Sequence, residues 1–250
     1  MLKSRFLLLI ASFTLLAMLN VSCDKNEDET PQDNNQTPAD NLNFSDSYGV
    51  MAAIKTISFQ SAGGFTIPVE VNTAVAVFVP TPGATTFAPA GTVSINSSSL
   101  KKFENNSYVY DNLLNPLSFN SVQWSVSGEG EVPAFEKTVN RGFPNFTAFA
   151  SIPETFSLAA GLSVPLGSSV SNADSVVVVV SGGQNAAVKT VAAASANAVF
   201  TAGELSNLGA GASGMISVTP YNYTVETISG RKYYFVNQSN YTKMNVNVTQ

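Results

Sequence analysis

The sequence has no histidine and only one cysteine among its 250 residues. Without histidine there is no Ser-His-Asp or Cys-His nucleophile and no His-ligated zinc site, and one cysteine cannot form a disulfide within the chain. Charged residues are also scarce, at 12% against about a quarter in typical globular chains. Because 44% of the residues are apolar, disorder over most of the length is excluded. The surface is therefore expected to consist mainly of Ser, Thr, Asn and Gly.

The first 22 residues have the pattern of a secretory signal peptide. Lys3 and Arg5 supply the positive start, and residues 6–19 are fourteen uncharged, mostly apolar residues. A membrane-spanning helix needs about 20 apolar residues, so a cleaved signal is the better interpretation. The single cysteine, Cys23, follows directly after the small residue Ser22.

This arrangement resembles a bacterial lipoprotein signal, in which the cysteine after a small residue is lipidated and becomes the mature N-terminus. The resemblance implies that residues 1–22 are removed and that Cys23 carries the lipid. Membrane lipid is then a partner of the protein through its N-terminal cysteine. An ordinary signal peptide followed by an incidental cysteine is the alternative.

Residues 23–43 form a polar segment with prolines and no aromatic residue. Such a segment cannot repay the entropy of ordering, so we expect a flexible acidic tether. Its acidic cluster, residues 24–29, resembles the export signal of surface lipoproteins of Bacteroidota, which implies an outer-membrane anchor and exposure at the cell surface. A solubilising linker is the alternative for this cluster, and an orientation facing the periplasm also stays open.

The remaining chain is nearly neutral. Residues 24–43 hold six acids and one base, whereas residues 44–250 hold eleven acids and nine bases, a net charge of −2. No basic run is present, so nucleic acid is not an expected partner. Uncharged ligands are the best candidates for a domain of this charge.

From residue 44 onward, β-branched and aromatic residues alternate with polar ones between Gly, Pro, Asn and Ser. About twelve short strands and no long amphipathic helix predict an all-β protein. One large antiparallel sandwich or two smaller ones would fit this length. We place a break at residues 140–144, which gives one β-sandwich lobe at 44–142 and a second at 143–250.

The second predicted lobe has a leucine-bearing segment, residues 205–211, that leads into alternating apolar residues at 214–218. This segment resembles the end of fibronectin-type or immunoglobulin-like sandwiches, and it implies that fold for the lobe. The residues expected to form the core of this lobe are Val177, Val179, Ile216, Val218, Tyr234 and Val236, with Leu205 and Leu208 at one end.

Three motifs match catalytic or cofactor-binding patterns without their required context. Residues 209–214 read G-x-G-x-x-G, but a strand pattern rather than a helix follows them. Ser98 and Lys101 match S-x-x-K without its partner triplets. Glu129 and Glu131 could serve a glycosidase, although the neighbouring glycines favour a solvated hairpin tip. We therefore expect no catalytic residue, cofactor or metal.

Aromatic residues are the better indication of a binding function, since sugar rings stack on exposed rings. Trp124 nevertheless alternates as a core residue would, and the tyrosines pair at i, i+2, the spacing of one strand face. A sugar platform is the alternative at Trp124. Asp174-Ser175-Val176 matches a glycosylation acceptor seen in glycoproteins of Bacteroidota, with a turn as the alternative. The Asn-x-Ser/Thr triplets, among them those at Asn145, Asn222, Asn237 and Asn240, carry little meaning in a bacterial lipoprotein.

The sequence therefore predicts a lipid-anchored cell-envelope protein with a non-catalytic binding or structural role. A glycan-binding accessory module of a surface polysaccharide system is one alternative, and a carboxylate-dependent glycan hydrolase is another. A cell-surface glycan or an envelope protein is the expected partner besides lipid.

Replacement of the lipid-bearing residue tests the anchor. Stable anchoring takes more than one acyl chain, and a lipoprotein carries several on its N-terminal cysteine. We expect Cys23→Ala to move the protein from the membrane fraction to the soluble fraction, as measured by cell fractionation and immunoblotting. If the variant stays in the membranes as firmly as the wild type, Cys23 is not the anchor.

Overall fold

A computed structural model describes residues 44–62, 65–112, 115–183 and 185–250. The predicted signal peptide (1–22), Cys23 and the rest of the predicted tether (24–43) lie outside the described residues. Within the described residues, strands dominate, as the sequence predicts for an all-β protein. The same residues include no helix long and apolar enough to span a membrane.

The strands are numbered in chain order. They are β1 (Gly49–Ala62), β2 (Phe65–Phe78), β3 (Val93–Ile95), β4 (Ser98–Ser99), β5 (Lys101–Lys102), β6 (Tyr108–Tyr110), β7 (Val122–Val126), β8 (Phe135–Val139), β9 (Asn145–Phe146), β10 (Thr155–Ser157), β11 (Leu162–Pro165), β12 (Val170–Ser171), β13 (Ser175–Gly182), β14 (Asn185–Ala192), β15 (Asn197–Phe200), β16 (Gly211–Ile228) and β17 (Arg231–Thr249). Within the described residues, three short 3-10 helices span Phe44–Asp46, Phe149–Ser151 and Gly167–Ser169, and one α-helix, α1, spans Ala202–Leu205.

One large mixed sheet runs through the whole folded part. Its strand order is β14-β13-β16-β17-β1-β2-β6-β5, and β10 pairs with the end of β17. The first and last long strands, β1 and β17, pair in parallel from Gly49 opposite Tyr233 to Ser58 opposite Thr242. The other long pairs, β1 with β2 and β16 with β17, are antiparallel.

The β16–β17 hairpin is closed by a two-residue turn at Ser229 and Gly230, which have φ of 52° and 78°. Two successive residues with positive φ are typical of the type I′ turn, whose twist matches that of the paired strands. Near the other end of the hairpin, a Cβ at Gly214 would lie 2.6 Å from Val248 and 2.7 Å from the Val246 carbonyl oxygen. Only glycine fits this irregular stretch of β16.

A first hydrophobic core lies on one face of the large sheet. A four-stranded sheet of order β4-β3-β7-β8 covers this core. The half of the large sheet beneath it consists of β2 and the neighbouring parts of β1 and β17. Trp124 on β7 is fully buried between the layers, together with Phe78, Tyr108 and Tyr233. The prediction that Trp124 is a core residue is therefore confirmed.

A second core lies further along the same face. Val176, Val178 and Val180 of β13 and Ile216 and Val218 of β16 form its floor. The elements that cover it are short: two two-stranded sheets, β11-β15 and β12-β9, as well as β10 and α1. Their apolar side chains include Phe146, Phe156, Val164, Phe200, Leu205 and Leu208.

A third cluster occupies the opposite face of the large sheet. It contains Val50 and Ile54 of β1, Val75 of β2, and Val177 and Val179 of β13, all of them buried. Two rings from outside the sheet, Phe44 and Phe87, pack into it. By strand alternation, the exposed large apolar side chains of the sheet lie on this same face. They are Ile67, Val188, Val225 and Met244.

All eight predicted core residues are buried, but they do not form one core. Ile216, Val218, Leu205 and Leu208 belong to the second core. Val177, Val179, Tyr234 and Val236 belong to the cluster on the opposite face. The prediction of a single core was wrong because β13, β16 and β17 bury both faces, so that both alternating sets of side chains are apolar.

The predicted break at residues 140–144 falls where the chain crosses from the elements over the first core to those over the second. Tyr233 and Phe235 of β17 nevertheless pack in the first core. The two lobes therefore share the long strands of one sheet. The number of independently folding domains stays a prediction.

The leucine after α1 offers a test of the second core. Leu208 is 6% exposed, whereas its neighbour Asn207 is exposed. We expect Leu208→Ala to lower the free energy of unfolding by about 2–5 kcal/mol and Asn207→Ala to change it by less than about 0.5 kcal/mol, as measured by urea denaturation. Equal effects of the two substitutions would contradict this packing.

Candidate functional site

A row of polar residues separates the two cores on the covered face of the large sheet. Lys55 of β1 lies opposite Asn72 of β2 and Ser239 of β17. One row closer to the first core, Asn237 of β17 lies opposite Asn222 of β16. We refer to these five residues as the polar belt. Because they carry amide, hydroxyl and ammonium groups, neither hydrophobic core continues across them.

The buried amides of the belt hold the crossing segment, residues 140–144. Asn237 donates from its side chain to the Arg141 carbonyl oxygen at 2.6 Å, and Asn222 donates to the Gly142 carbonyl oxygen at 2.9 Å. Asn172 donates to the same Gly142 oxygen at 2.7 Å. The backbone of the crossing segment is thus fixed by side chains and not by strand pairing.

An ion pair fixes the segment from its outer side. The Arg141 guanidinium donates to both carboxylate oxygens of Asp174, at 2.7 and 2.8 Å. This bidentate geometry is the strong form of an arginine–carboxylate contact. Asp174 also accepts from the backbone amide of Tyr223 at 3.1 Å. The Arg141 side chain is therefore engaged within the protein.

A cleft of about 440 Å³ opens beside the crossing segment, within the range of roughly 300–1,000 Å³ that is common for small-molecule sites. Its lining comes from β1, from the end of the four-stranded sheet and from the crossing segment. The lining residues are Lys55, Phe119, Asn120, Ser121, Val122, Thr138, Val139, Asn140, Arg141, Gly142 and Phe143.

Two aromatic rings stack on one another at this cleft. The ring centroids of Phe119 and Phe143 are 5.0 Å apart and the rings are inclined by 23°. Both side chains are half-buried, and both contact the first core. The ammonium group of Lys55 lies 4.8 Å from the Phe143 ring centroid, over the ring. The cleft lining thus includes two stacked, half-buried rings, one of which also contacts the Lys55 ammonium group.

Exposed polar side chains surround the rings. Asn120, Ser121, Thr138 and Asn140 are exposed, and within the described part of the chain their side chains form no hydrogen bond. Amides and hydroxyls both donate and accept hydrogen bonds. The lining contains no carboxylate and no cysteine. This set of groups suits the binding of a polyhydroxylated ligand better than acid–base or nucleophilic chemistry.

Two of the titratable groups with shifted pKa values, Asp46 and Tyr234, lie at the opposite face of the sheet. A hydrogen bond from Lys232 and a second from Tyr234 lower the pKa of Asp46. Burial, followed by the hydrogen bond to Asp46, raises the pKa of Tyr234 to about 12. The Phe44 ring packs edge-on against Tyr234 at 5.1 Å, so these contacts fasten the start of the described chain to β17.

The two acidic residues singled out in the sequence form separate ion pairs. Glu129 pairs with Lys102 at 3.4 Å, whereas Glu131 pairs with Arg231 at 3.2 Å. Both glutamates are exposed beside Gly130, which has a positive φ. The predicted solvated turn describes this region better than a hydrolase site does.

The other two catalytic patterns also lack the required elements. Ser98 lies in β4 and Lys101 in β5, and no helix begins at either residue. Gly211 begins the long strand β16, so a strand and not a helix leaves the G-x-G-x-x-G segment. Among the described residues, no group of three His, Cys, Asp or Glu side chains is placed to hold a metal ion.

Several of the acceptor motifs for modification are inaccessible in the folded chain. Ser175 is 2% exposed, and its neighbour Asp174 is held by Arg141. Asn222, Asn237 and Asn240 are buried as well, while Asn145 is exposed. The paired aromatics are core residues too: Tyr108, Tyr110, Tyr233 and Phe235 are buried.

The cleft residues were not identified as a site from the sequence. The sequence around Phe143 predicted only a break between the two lobes, because a Gly-Phe-Pro stretch is typical of a connecting segment. Phe119 and Lys55 lie 24 and 88 residues before Phe143. These residues are brought together by the folding of the crossing segment onto β1, and not by their spacing in the sequence.

Comparisons with protein families, curated proteins and solved structures gave no match for this chain. The geometry of the cleft and the N-terminal sequence are therefore the features that bear on function.

The belt asparagines offer a test of how the cleft wall is held. Asn237→Ala removes the donor to the Arg141 carbonyl oxygen and leaves that oxygen without this partner. We expect the free energy of unfolding to fall by about 1–3 kcal/mol, as measured by urea denaturation. Asn120→Ala, at an exposed and unpaired amide of the same cleft, is the control and should change stability little. If the two variants unfold alike, Asn237 does not hold the segment.

Proposed function

We propose that this chain is a lipid-anchored protein of the bacterial cell envelope that binds a saccharide in the cleft beside residues 140–144. The observation that carries the proposal is the stacked pair of Phe119 and Phe143, surrounded by exposed amides and hydroxyls that have no partner. A role without catalysis agrees with the lining, which offers no pair of carboxylates.

The physical basis is the mixed character of a sugar ring. Its C–H face is apolar and gains from contact with an aromatic ring, while its hydroxyls need hydrogen-bond partners. Phe119 and Phe143 provide the apolar contact, and Asn120, Asn140 and Thr138 provide donors and acceptors. Because the crossing segment is held by buried amides, little ordering is required when a ligand binds.

The cellular location in this proposal comes from the N-terminal sequence alone. The resemblance to lipoproteins of Bacteroidota supports lipidation at Cys23, an outer-membrane anchor and exposure at the cell surface. The immunoglobulin-like character of the second lobe is also part of the proposal, and the leucine-bearing segment before β16 supports it. A glycan-binding accessory role in a surface polysaccharide system follows from combining this location with the cleft.

A purely structural role in the envelope is the second candidate function. The observation that favours it is the opposite face of the sheet, where Ile67, Val188, Val225 and Met244 remain exposed. Such side chains can contribute to a protein contact. The two candidates differ in whether any saccharide is bound.

The decisive experiment is a glycan array probed with purified residues 44–250, followed by calorimetric titration of the best ligand. We expect Phe119→Ala to weaken binding by about fivefold or more, because a ring contact contributes on the order of 1 kcal/mol beyond its area and 1.4 kcal/mol is a factor of ten. Asn140→Ala, which removes one hydrogen bond, should weaken binding by about two- to tenfold.

Phe103→Ala is the matched control. Phe103 is also a half-exposed ring with a lysine over it, but it lies outside the cleft. This variant should bind like the wild type, and circular dichroism and thermal melting should show that all variants are folded. Absence of binding to every saccharide would reject the proposal in favour of a structural role. Loss of binding in Phe103→Ala alone would place the site elsewhere.

A further inference from the structure

The cleft contains one cation, Lys55, whose ammonium group forms an ion pair but no hydrogen bond within the described residues. Lys55 is about three-quarters buried, with 24% of its side chain exposed, yet within the described residues its ammonium group donates no hydrogen bond. Its nearest carboxylate, that of Glu70, is 3.7 Å away, beyond hydrogen-bond distance. The remaining contact is the face of the Phe143 ring.

The Lys55 ammonium group therefore keeps hydrogen-bond donors that a ligand in the cleft can use. Its ion pair with Glu70 is weak, because the Glu70 side chain is 45% exposed and therefore hydrated. The second cation of the lining, Arg141, is fully engaged by Asp174. Lys55 is therefore the one lining cation with donors available to a bound molecule.

We propose that the cleft selects saccharides that carry a carboxylate, such as uronic or nonulosonic acids, and that Lys55 binds this carboxylate. The inference rests on the proposed function, because it names the class of saccharide for the same cleft. The sugar ring contacts Phe119 and Phe143, and its carboxylate accepts a charge-assisted hydrogen bond from the Lys55 ammonium.

This inference reverses the expectation drawn from overall charge. The folded part has a net charge of −2, which favours uncharged ligands. Each cation of the lining has a carboxylate within 4 Å, Glu70 for Lys55 and Asp174 for Arg141, but only the Arg141 pair is hydrogen-bonded. Selectivity depends on the charges within a few ångströms of the ligand, since more distant surface charges are screened by salt.

The experiment measures the affinity of wild-type residues 44–250 for acidic saccharides on the array and for the same saccharides after chemical reduction of their carboxyl groups to alcohols. We expect the carboxylated form to bind about tenfold or more tightly than its reduced partner, the range expected for a hydrogen bond to a charged group. Raising the salt concentration should reduce this preference.

Lys55→Met should abolish the preference, so that the carboxylated and the reduced saccharide bind with about equal affinity, because the variant has no charged donor. Lys55→Arg should retain the preference. Lys101→Met is the matched control, because Lys101 also lies over a phenylalanine ring, at 5.1 Å from Phe103, but outside the cleft.

Glu70→Gln separates ligand binding from a purely structural role of Lys55. Removing the competing carboxylate should strengthen binding of the acidic saccharide and leave the reduced form unchanged. A Lys55 that only supported the fold would produce no such difference.

The outcomes distinguish the two proposals. Equal affinity for the carboxylated and reduced forms, or exclusive binding of neutral saccharides, overturns the role of Lys55 and leaves saccharide binding intact. A preference that persists in Lys55→Met also overturns it. Failure to bind any saccharide rejects the proposed function, and this inference with it.

Discussion

The parallel pairing of β1 with β17 joins the start of the described chain to its end, and the two lobes depend on it. Because β17 lies between β16 and β1, the hairpins β1–β2 and β16–β17 merge into one sheet. These strands are 14 to 19 residues long, about two to three times the usual strand. Their length provides room for two cores side by side on a single face.

The boundary between these cores creates the cleft. The belt residues Asn222, Asn237 and Ser239 are buried, and polar groups that are buried under an apolar cover without partners are costly. The covering elements lie on either side of the belt, and the chain crosses between them. Buried amides hold that crossing segment by its carbonyl oxygens, which fixes one wall of the gap.

Much of the fold could be predicted from residue patterns. Alternation in residues such as 122–126 indicates a strand with Trp124 inward, and the structure agrees. The β13 valines show the limit of this reasoning: a continuous apolar run indicates burial on both faces but does not say which face belongs to which core. The candidate site could not be predicted, because Lys55, Phe119 and Phe143 are far apart in sequence. The residues next to each of them in the sequence do not indicate a site.

The sequence by itself determined the all-β class, the burial of the alternating residues and the absence of histidine chemistry, because these follow from composition and from the period-2 geometry of strands. It also contains the lipoprotein-like N-terminus on which the proposed location depends. Only the tertiary structure decided that the lobes share one sheet and that two phenylalanines and a lysine meet at a cleft. Strand order and the path of the crossing segment arise from long-range pairing, and no local pattern records which distant strands become neighbours.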